Sequence, residues 1–387
     1  MNDFLIKNGR VVDTALGIND VIDIAIKNDI IAEVGKNLPV NNAVRVIDAD
    51  GCYITPGLVD YHAHINYGSS DICFRAEIGC FPSGVTTCVD GGSAGVSSYE
   101  NFYNTIVCSS QVNIKGYLNI SSVGETAHSC PEELNPALFE IDKILRFCKK
   151  YEGNIVGIKI RLGAPMVRNF GIEPLKVAQK VAKDAGIPLT VHMIDCPVPV
   201  KDVLAVLSAG DIYCHVFHNT GKGTILDQNG KLLPELFEAR KRGVLFDVSH
   251  GRGAGSFTVA KAALEQGFKP DLITSDLSRY SLYRSPAYTV NYIMSEFLHL
   301  GFTFEELIKM YTETSAKLIY GKCDGFIKPG YLADLAIFRL VDKPVTFVDY
   351  KGEKLNGNKI IKCEMTFKDG EPVFCQVDSQ AGPYPVL

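Results

Sequence analysis

The middle of the chain alternates between two hydrophobic periods. Short apolar runs of strand type recur at Leu58–His64, Val85–Val89, Ile114–Asn119, Ile155–Ile160, Leu189–Met193, Ile212–Phe217, Val244–Val248 and Leu272–Thr274. Most are separated by segments whose apolar residues share one helical face. Ile141, Ile144, Leu145 and Cys148 form one such face. Leu175, Ala178, Val181 and Ala182 form another, as do Ala260, Ala263 and Leu264. Strand alternating with helix predicts a parallel sheet covered by helices, an α/β fold. Eight repeats over about 270 residues match a closed (β/α)8 barrel of the TIM type. A doubly wound open sheet is the alternative. It would favour a glycine-rich dinucleotide turn after the first strand, and the sequence has none.

Both ends of the chain carry only short strand patterns. Phe4-Leu5-Ile6 and Val11-Val12 flank Lys7-Asn8-Gly9-Arg10, whose Asn-Gly predicts a tight hairpin turn. Ile22–Ile26 alternates, turns at Lys27-Asn28-Asp29 and continues as Ile30–Val34, and Val44–Ile47 is a further strand. Toward the C-terminus, Leu335–Phe338, Val345–Val348, Lys359–Cys363 and Pro372–Phe374 repeat the style. Neither end segment is large enough to bury a core alone, so the two are expected to pair in one small discontinuous β-sandwich. The expected domains are 1–56 and 324–387 for the two sandwich parts and 57–323 for the barrel.

Composition narrows the function. The chain has 387 residues, 46% of them hydrophobic and 21% charged, with a net charge of −5. That balance lacks the basic footprint of a nucleic-acid binder. No apolar stretch reaches the ~20 residues of a membrane span, and Met1 to Gly9 lacks the pattern of a signal peptide. Twelve cysteines without a C-x-x-C pair suggest reduced, mostly buried thiols in a cytoplasmic protein. The expected partner is a small-molecule substrate; a homo-oligomer is left open.

The chemistry lies at the strand ends, where a barrel carries its active site. The first run ends in His62-Ala63-His64. Residues two apart on a strand point the same way, so both imidazoles can serve one metal ion. The fourth run holds Lys159 between Ile158 and Ile160, the fifth ends in His192, the sixth reaches His215, and the eighth leads into Asp276. Singly, each has an ordinary reading: a satisfied strand histidine, a snorkelling lysine, a capping aspartate. Six such residues at one end of different strands point together to a metal site. Apolar surroundings disfavour an ammonium at Lys159. A neutral amine there can combine with carbon dioxide to give a carbamate, which is able to bridge two metals.

The set His62-Ala63-His64, Lys159, His192, His215 and Asp276 resembles the binuclear metal pattern of the amidohydrolase superfamily. Gly330-Tyr331-Leu332-Ala333-Asp334-Leu335 resembles that family's return into a β-sandwich built from both termini. Gly157–Arg161, the run from His215 to Asp227, and Asp247-Val248-Ser249-His250-Gly251-Arg252-Gly253 resemble its deacetylase-like branch, whose members have often carried a dihydroorotase label. The resemblance implies that His62 and His64 bind the more buried metal, which Asp276 also touches. It implies His192 and His215 on the second metal, with a carbamylated Lys159 and a hydroxide bridging the two. Zinc is the default metal for such ligands; manganese and iron remain open. The implied activity is hydrolysis of an amide or ester, with Asp276 shuttling the proton.

Substrate contacts are expected from loops beyond the same ends. Arg161 shares a strand face with Lys159; it either receives a substrate carboxylate or braces its loop. His250 and Arg252 follow the seventh strand among glycines and either touch substrate or belong to a tight turn. His218, three residues past His215, is expected in the loop. Three other readings compete. A dihydroorotase or hydantoinase would cleave a cyclic amide, but related dihydroorotases favour Arg where this chain has Asn66. A mononuclear deaminase usually needs a Glu soon after the strand-five histidine and lacks the strand-four lysine. A catalytically silent barrel used as a binding subunit would have lost ligands, and none is lost here.

Overall fold

Seven parallel strands curl around the centre of the molecule in sequence order: Leu58–Ala63, Val85–Asp90, Asn113–Asn119, Ile155–Arg161, Leu189–His192, Ile212–Cys214 and Leu245–Asp247. The computed structural model describes residues 1–127, 129–221, 223–321 and 325–376; His128 lies outside them. Helices follow the strands, among them Ile141–Lys150, Glu173–Ala185, Phe257–Glu265 and Val290–His299. Inside the barrel, Val59, Tyr61, Val89, Tyr117, Val156, Ile212, Cys214 and Leu272 pack as one cluster. These residues come from nearly every strand, so the interior is a filled core and not a pore.

The predicted eighth strand, Leu272–Thr274, is not a regular strand. Single bridges join Leu272 to Asp247 on the seventh strand and Leu277 to Ala63 on the first, and these close the barrel. The ladder breaks because carboxylates take two of its donors. Thr274 N donates to Asp247 Oδ1 at 3.2 Å and Ser275 N to Asp60 Oδ1 at 3.0 Å. The segment is thereby bent so that Asp276 N meets His62 O at 2.7 Å.

The terminal segments do combine. One sheet has the order Ile30–Gly35, Asp23–Lys27, Asn2–Lys7, Ala43–Asp48. The other runs Glu371–Cys375, Lys354–Lys368, Leu335–Val348, Tyr53–Pro56, Arg10–Asp13, Ile18–Val21. Phe4, Ile6, Ile26 and Ile54 from the N-terminal part share a core with Leu335, Ile337 and Phe367 from the C-terminal part. The hairpin expected at Asn8-Gly9 does not form. Asn2–Lys7 and Arg10–Asp13 lie in different sheets, and the chain crosses between them there. Asn8 adopts a φ of 64°, and a side chain on Gly9 would run into Ile54. The Asn-Gly signal marked a real break in the chain but not its partner. Four predicted C-terminal runs become three strands, because Leu335–Val348 and Lys354–Lys368 form one long hairpin. Its far end leaves the sandwich and lies on the barrel, where Phe347 packs on Tyr292 at 5.1 Å between centroids.

This sharing gives a stability prediction. Ile337 is 3% exposed in the sandwich core. Ile337→Ala should destabilise the chain by about 2–5 kcal/mol, read as a shift in the denaturation midpoint. A surface-sized effect would mean that the two termini do not share a core.

Candidate active site

The six predicted ligands meet at the C-terminal mouth of the barrel. Lys159 Nζ lies 3.1 Å from His62 Nε2. Asp276 Oδ1 is 3.1 Å from His64 Nε2 and 3.6 Å from His62 Nε2. His192 Nδ1 and His215 Nε2 approach to 2.8 Å. His62 and His64 do not reach the site by plain alternation. The register with the second strand slips between Asp60 and Ala63, and Tyr61 also faces the barrel core. His215 and Asp276 sit in the left-handed region, at φ 63° and 46°, as does Ser249 at 41°. Non-glycine residues held there mark backbone strain at the ends of three successive strand positions.

Sequence reasoning missed the groups that orient these ligands. His64 Nδ1 lies 2.9 Å from Ser93 Oγ, which donates to Asp90 Oδ2 at 3.0 Å. His62 Nδ1 is 3.2 Å from Ser249 Oγ, which donates to Asp247 Oδ2 at 2.5 Å. His215 Nδ1 donates to the Ser249 carbonyl at 2.8 Å. These contacts occupy the outer nitrogen of three rings and leave Nε2 turned inward. Gly91 and Gly92 make room: a Cβ on either would come within 2.5 Å of His62 or Lys159. Serines and aspartates beside strand ends are too common for any signal short of the motif Asp247-Val248-Ser249 to have found them.

At three of the four histidines the electrostatics suit a cation; at His64 burial is outweighed by the Asp276 carboxylate and nearby acids, which raise the imidazole. Burial and the nearby Lys159 charge hold His62 well below the usual imidazole range. Burial and His215 do the same for His192, and burial takes His215 down to about 3. Neutral imidazoles offer lone pairs. Burial alone would raise the Asp276 carboxyl, but the hydrogen bond from His64 and the neighbouring imidazoles lower it, so it stays ionised. One atom each from His62, His64 and Asp276 lies within 4.8 Å of the others, a spacing that fits ligands of a single ion. Lys159 and the His192–His215 pair extend this donor set on one side, so the residues present fit a metal centre.

A cavity of about 260 Å³ opens onto these groups, lined also by Ile72, Ile194, Arg161, Arg252 and Tyr280. A larger one, about 950 Å³, opens by Gly57, Thr86 and Asn113 at the opposite end of the strands and holds none of the predicted ligands. The predicted substrate contacts separate. Arg252 borders the active-site cavity, its guanidinium 5.3 Å from the Tyr280 ring. Arg161 also reaches it but is engaged: its Nη1 contacts Glu125 and lies 3.2 Å from Glu132. His250 does not reach the cavity. It is 1% exposed, turned behind Gly251 toward Glu296 at 2.8 Å. Its place in a glycine-rich loop suggested access, but Gly255 lets the ring fold inward. His218 is buried in its loop, Nε2 3.1 Å from the Gly223 carbonyl.

Removing one orienting group should be measurable. Ser249→Ala loses the hydroxyl between His62 and Asp247 but keeps the carbonyl that holds His215. The expected effect is a roughly 10–100-fold loss of metal affinity, measured by competition with a chelating dye. Unchanged affinity would show that His62 is oriented by packing alone.

A barrel with this donor set at the C-terminal ends of its strands is that of a hydrolase built to hold divalent metal. Residues 53–373 match the model of the amidohydrolase family, and the chain belongs to that family. It is accordingly an enzyme that hydrolyses carbon–nitrogen bonds, in a family that generally uses a divalent metal centre. The expected deacetylase-like branch has counterparts among its relatives. A deacetylase of Brucella anthropi is 32% identical over 341 residues, 87% of this chain and 83% of its own. A deacetylase of Enterococcus faecalis is 28% identical over 357 residues, 90% of this chain and 93% of its own. Among solved structures, a dihydroorotase superposes with a TM-score of 0.89 at 30% identity, covering 97% of this chain and 98% of that one.

Proposed function

We propose that this chain is a two-metal deacylase that removes a small acyl group from an amine or alcohol bearing a carboxylate. The observation that carries the reading is one cluster: His64, Lys159, His192 and Asp276 line one small cavity, and His62 and His215 stand directly behind them against Lys159 and His192. His62, His64 and Asp276 would hold one metal and His192 and His215 the other, with Lys159 as a carbamate between them and zinc as the metal. Bound there, the metal pair supplies Lewis acidity that activates water and polarises the scissile carbonyl.

The chain's own residues do the rest. Asp276, kept ionised, accepts the proton released as water attacks and passes it to the leaving nitrogen or oxygen. Ile72 and Ile194 give the acyl group an apolar wall. Arg252, which borders the cavity, takes the substrate carboxylate. The names of the two bacterial relatives support an acetyl group.

The likeness to a dihydroorotase favours a second reading, cleavage of a cyclic amide. Asn66 weighs against it: the side chain is fully buried, makes no hydrogen bond and does not border the cavity. No helix among the described residues is long and apolar enough to cross a membrane. The described cysteines are free thiols, which suits the reducing cytoplasm we propose as the compartment. Zinc-reconstituted protein should be screened against N-acyl amino acids, acyl hydroxy acids and cyclic imides. Turnover of the open-chain acyl compounds is expected; activity confined to the cyclic imides would replace this reading with the second one.

A further inference from the structure

We propose that His250 and Glu296 form a buried strut that positions the loop 249–256 against the metal ligands, although neither residue reaches the cavity. The inference rests on the metal reading above. His250 and Glu296 are 1% and 0% exposed, and His250 Nε2 lies 2.8 Å from Glu296 Oε2. Burying two such groups is unfavourable unless they serve each other. Glu296 belongs to the helix Val290–His299, whose Phe297 stacks on Phe217 at 6.5 Å. The pair therefore ties the helix after the eighth strand position to the loop after the seventh strand.

That loop needs fixing. It holds three glycines, Gly251, Gly253 and Gly255, and so has little intrinsic stiffness. A Cβ on Gly255 would overlap the His250 ring, so the loop is shaped around the imidazole. Three of its residues make functional contacts that depend on where it lies. Ser249 meets His62 through its hydroxyl at 3.2 Å and His215 through its carbonyl at 2.8 Å. Gly251 packs so closely on Asp276 that a Cβ would overlap the carboxylate. Arg252 borders the cavity. The backbone amides of His250 and Gly251 donate to Thr274 and Ser275, at 3.0 and 2.8 Å, and carry the strut's position directly to the segment before Asp276. His250 and Glu296 are thus positioning residues. They act on the ligands through Ser249 and Gly251.

The test uses the full chain, zinc titration against a chelating dye, and amide hydrogen exchange of peptides spanning 249–256. Glu296→Gln keeps the shape and removes the charge. Zinc affinity should fall about 10–100-fold, as for loss of other outer-shell partners, and exchange in 249–256 should quicken. The double variant His250→Phe with Glu296→Met replaces the pair by apolar groups of similar volume. It should regain thermal stability but not zinc affinity, because apolar packing lacks the electrostatic attraction of the pair. Recovery of both would make the pair a core filler and overturn the proposal. So would unchanged zinc affinity in Glu296→Gln. A wild-type chain that bound no zinc would instead contradict the metal reading. Loop exchange would then decide the strut, and unchanged exchange in Glu296→Gln would refute it.

Discussion

Asp276→Asn is expected to lower kcat by about 10²–10⁴-fold while the protein keeps its metal, since general acid–base groups contribute on that scale. The substitution is nearly isosteric. Asparagine adopts a positive φ about as readily as aspartate, so the substitution adds no strain to the 46° backbone at this position. An amide oxygen can still face His64 and a cation, but the amide cannot take up a proton. Loss of turnover with metal retained therefore isolates the proton-transfer role. Metal analysis and steady-state kinetics on one preparation check it. Turnover at the wild-type rate would remove Asp276 from the mechanism.

Lys159→Ala should lose metal as well as activity. Lys159 is 1% exposed, and its Nζ is held 3.1 Å from His62 Nε2. Gly92 packs against its stem and itself offers no side chain to take over. Without the bridging carboxylate of a carbamate, two cations would face each other with less negative charge between them. Metal affinity should fall by roughly 10²-fold or more, beyond what loss of an outer-shell partner brings. Intact-protein mass under non-denaturing conditions should show one added carbon dioxide in the wild type and none in the variant. A variant holding two metals at wild-type affinity would rule out the bridge.

How far the sequence revealed this site depended on residue type. Histidines at strand ends and a lysine inside an apolar strand are unusual enough to stand out, and barrel geometry supplies their convergence. Asp90, Ser93, Asp247, Ser249, Glu125 and Glu132 are ordinary loop and strand-end residues. Their roles appear only once the distances are known. Arg161 and His250 each carry two readings in the sequence, for type and spacing alone could not show that Glu125 and Glu132 pair with one and that Glu296 faces the other. The fold followed the same logic. Apolar periodicity located seven of eight barrel strands because each is almost entirely buried. The eighth position lost its ladder to the side chains of Asp60 and Asp247, which local pattern cannot show. Asn8-Gly9 marked a break but could not specify that the chain there passes between sheets.

These six residues are proposed to hold two metal ions. The most direct measurement is metal content of the intact protein after zinc and bicarbonate are supplied and unbound ion is removed. Two zinc ions per chain are expected, with hydrolysis rising as the second is bound. A correctly folded chain that retained no stoichiometric metal would contradict that proposal.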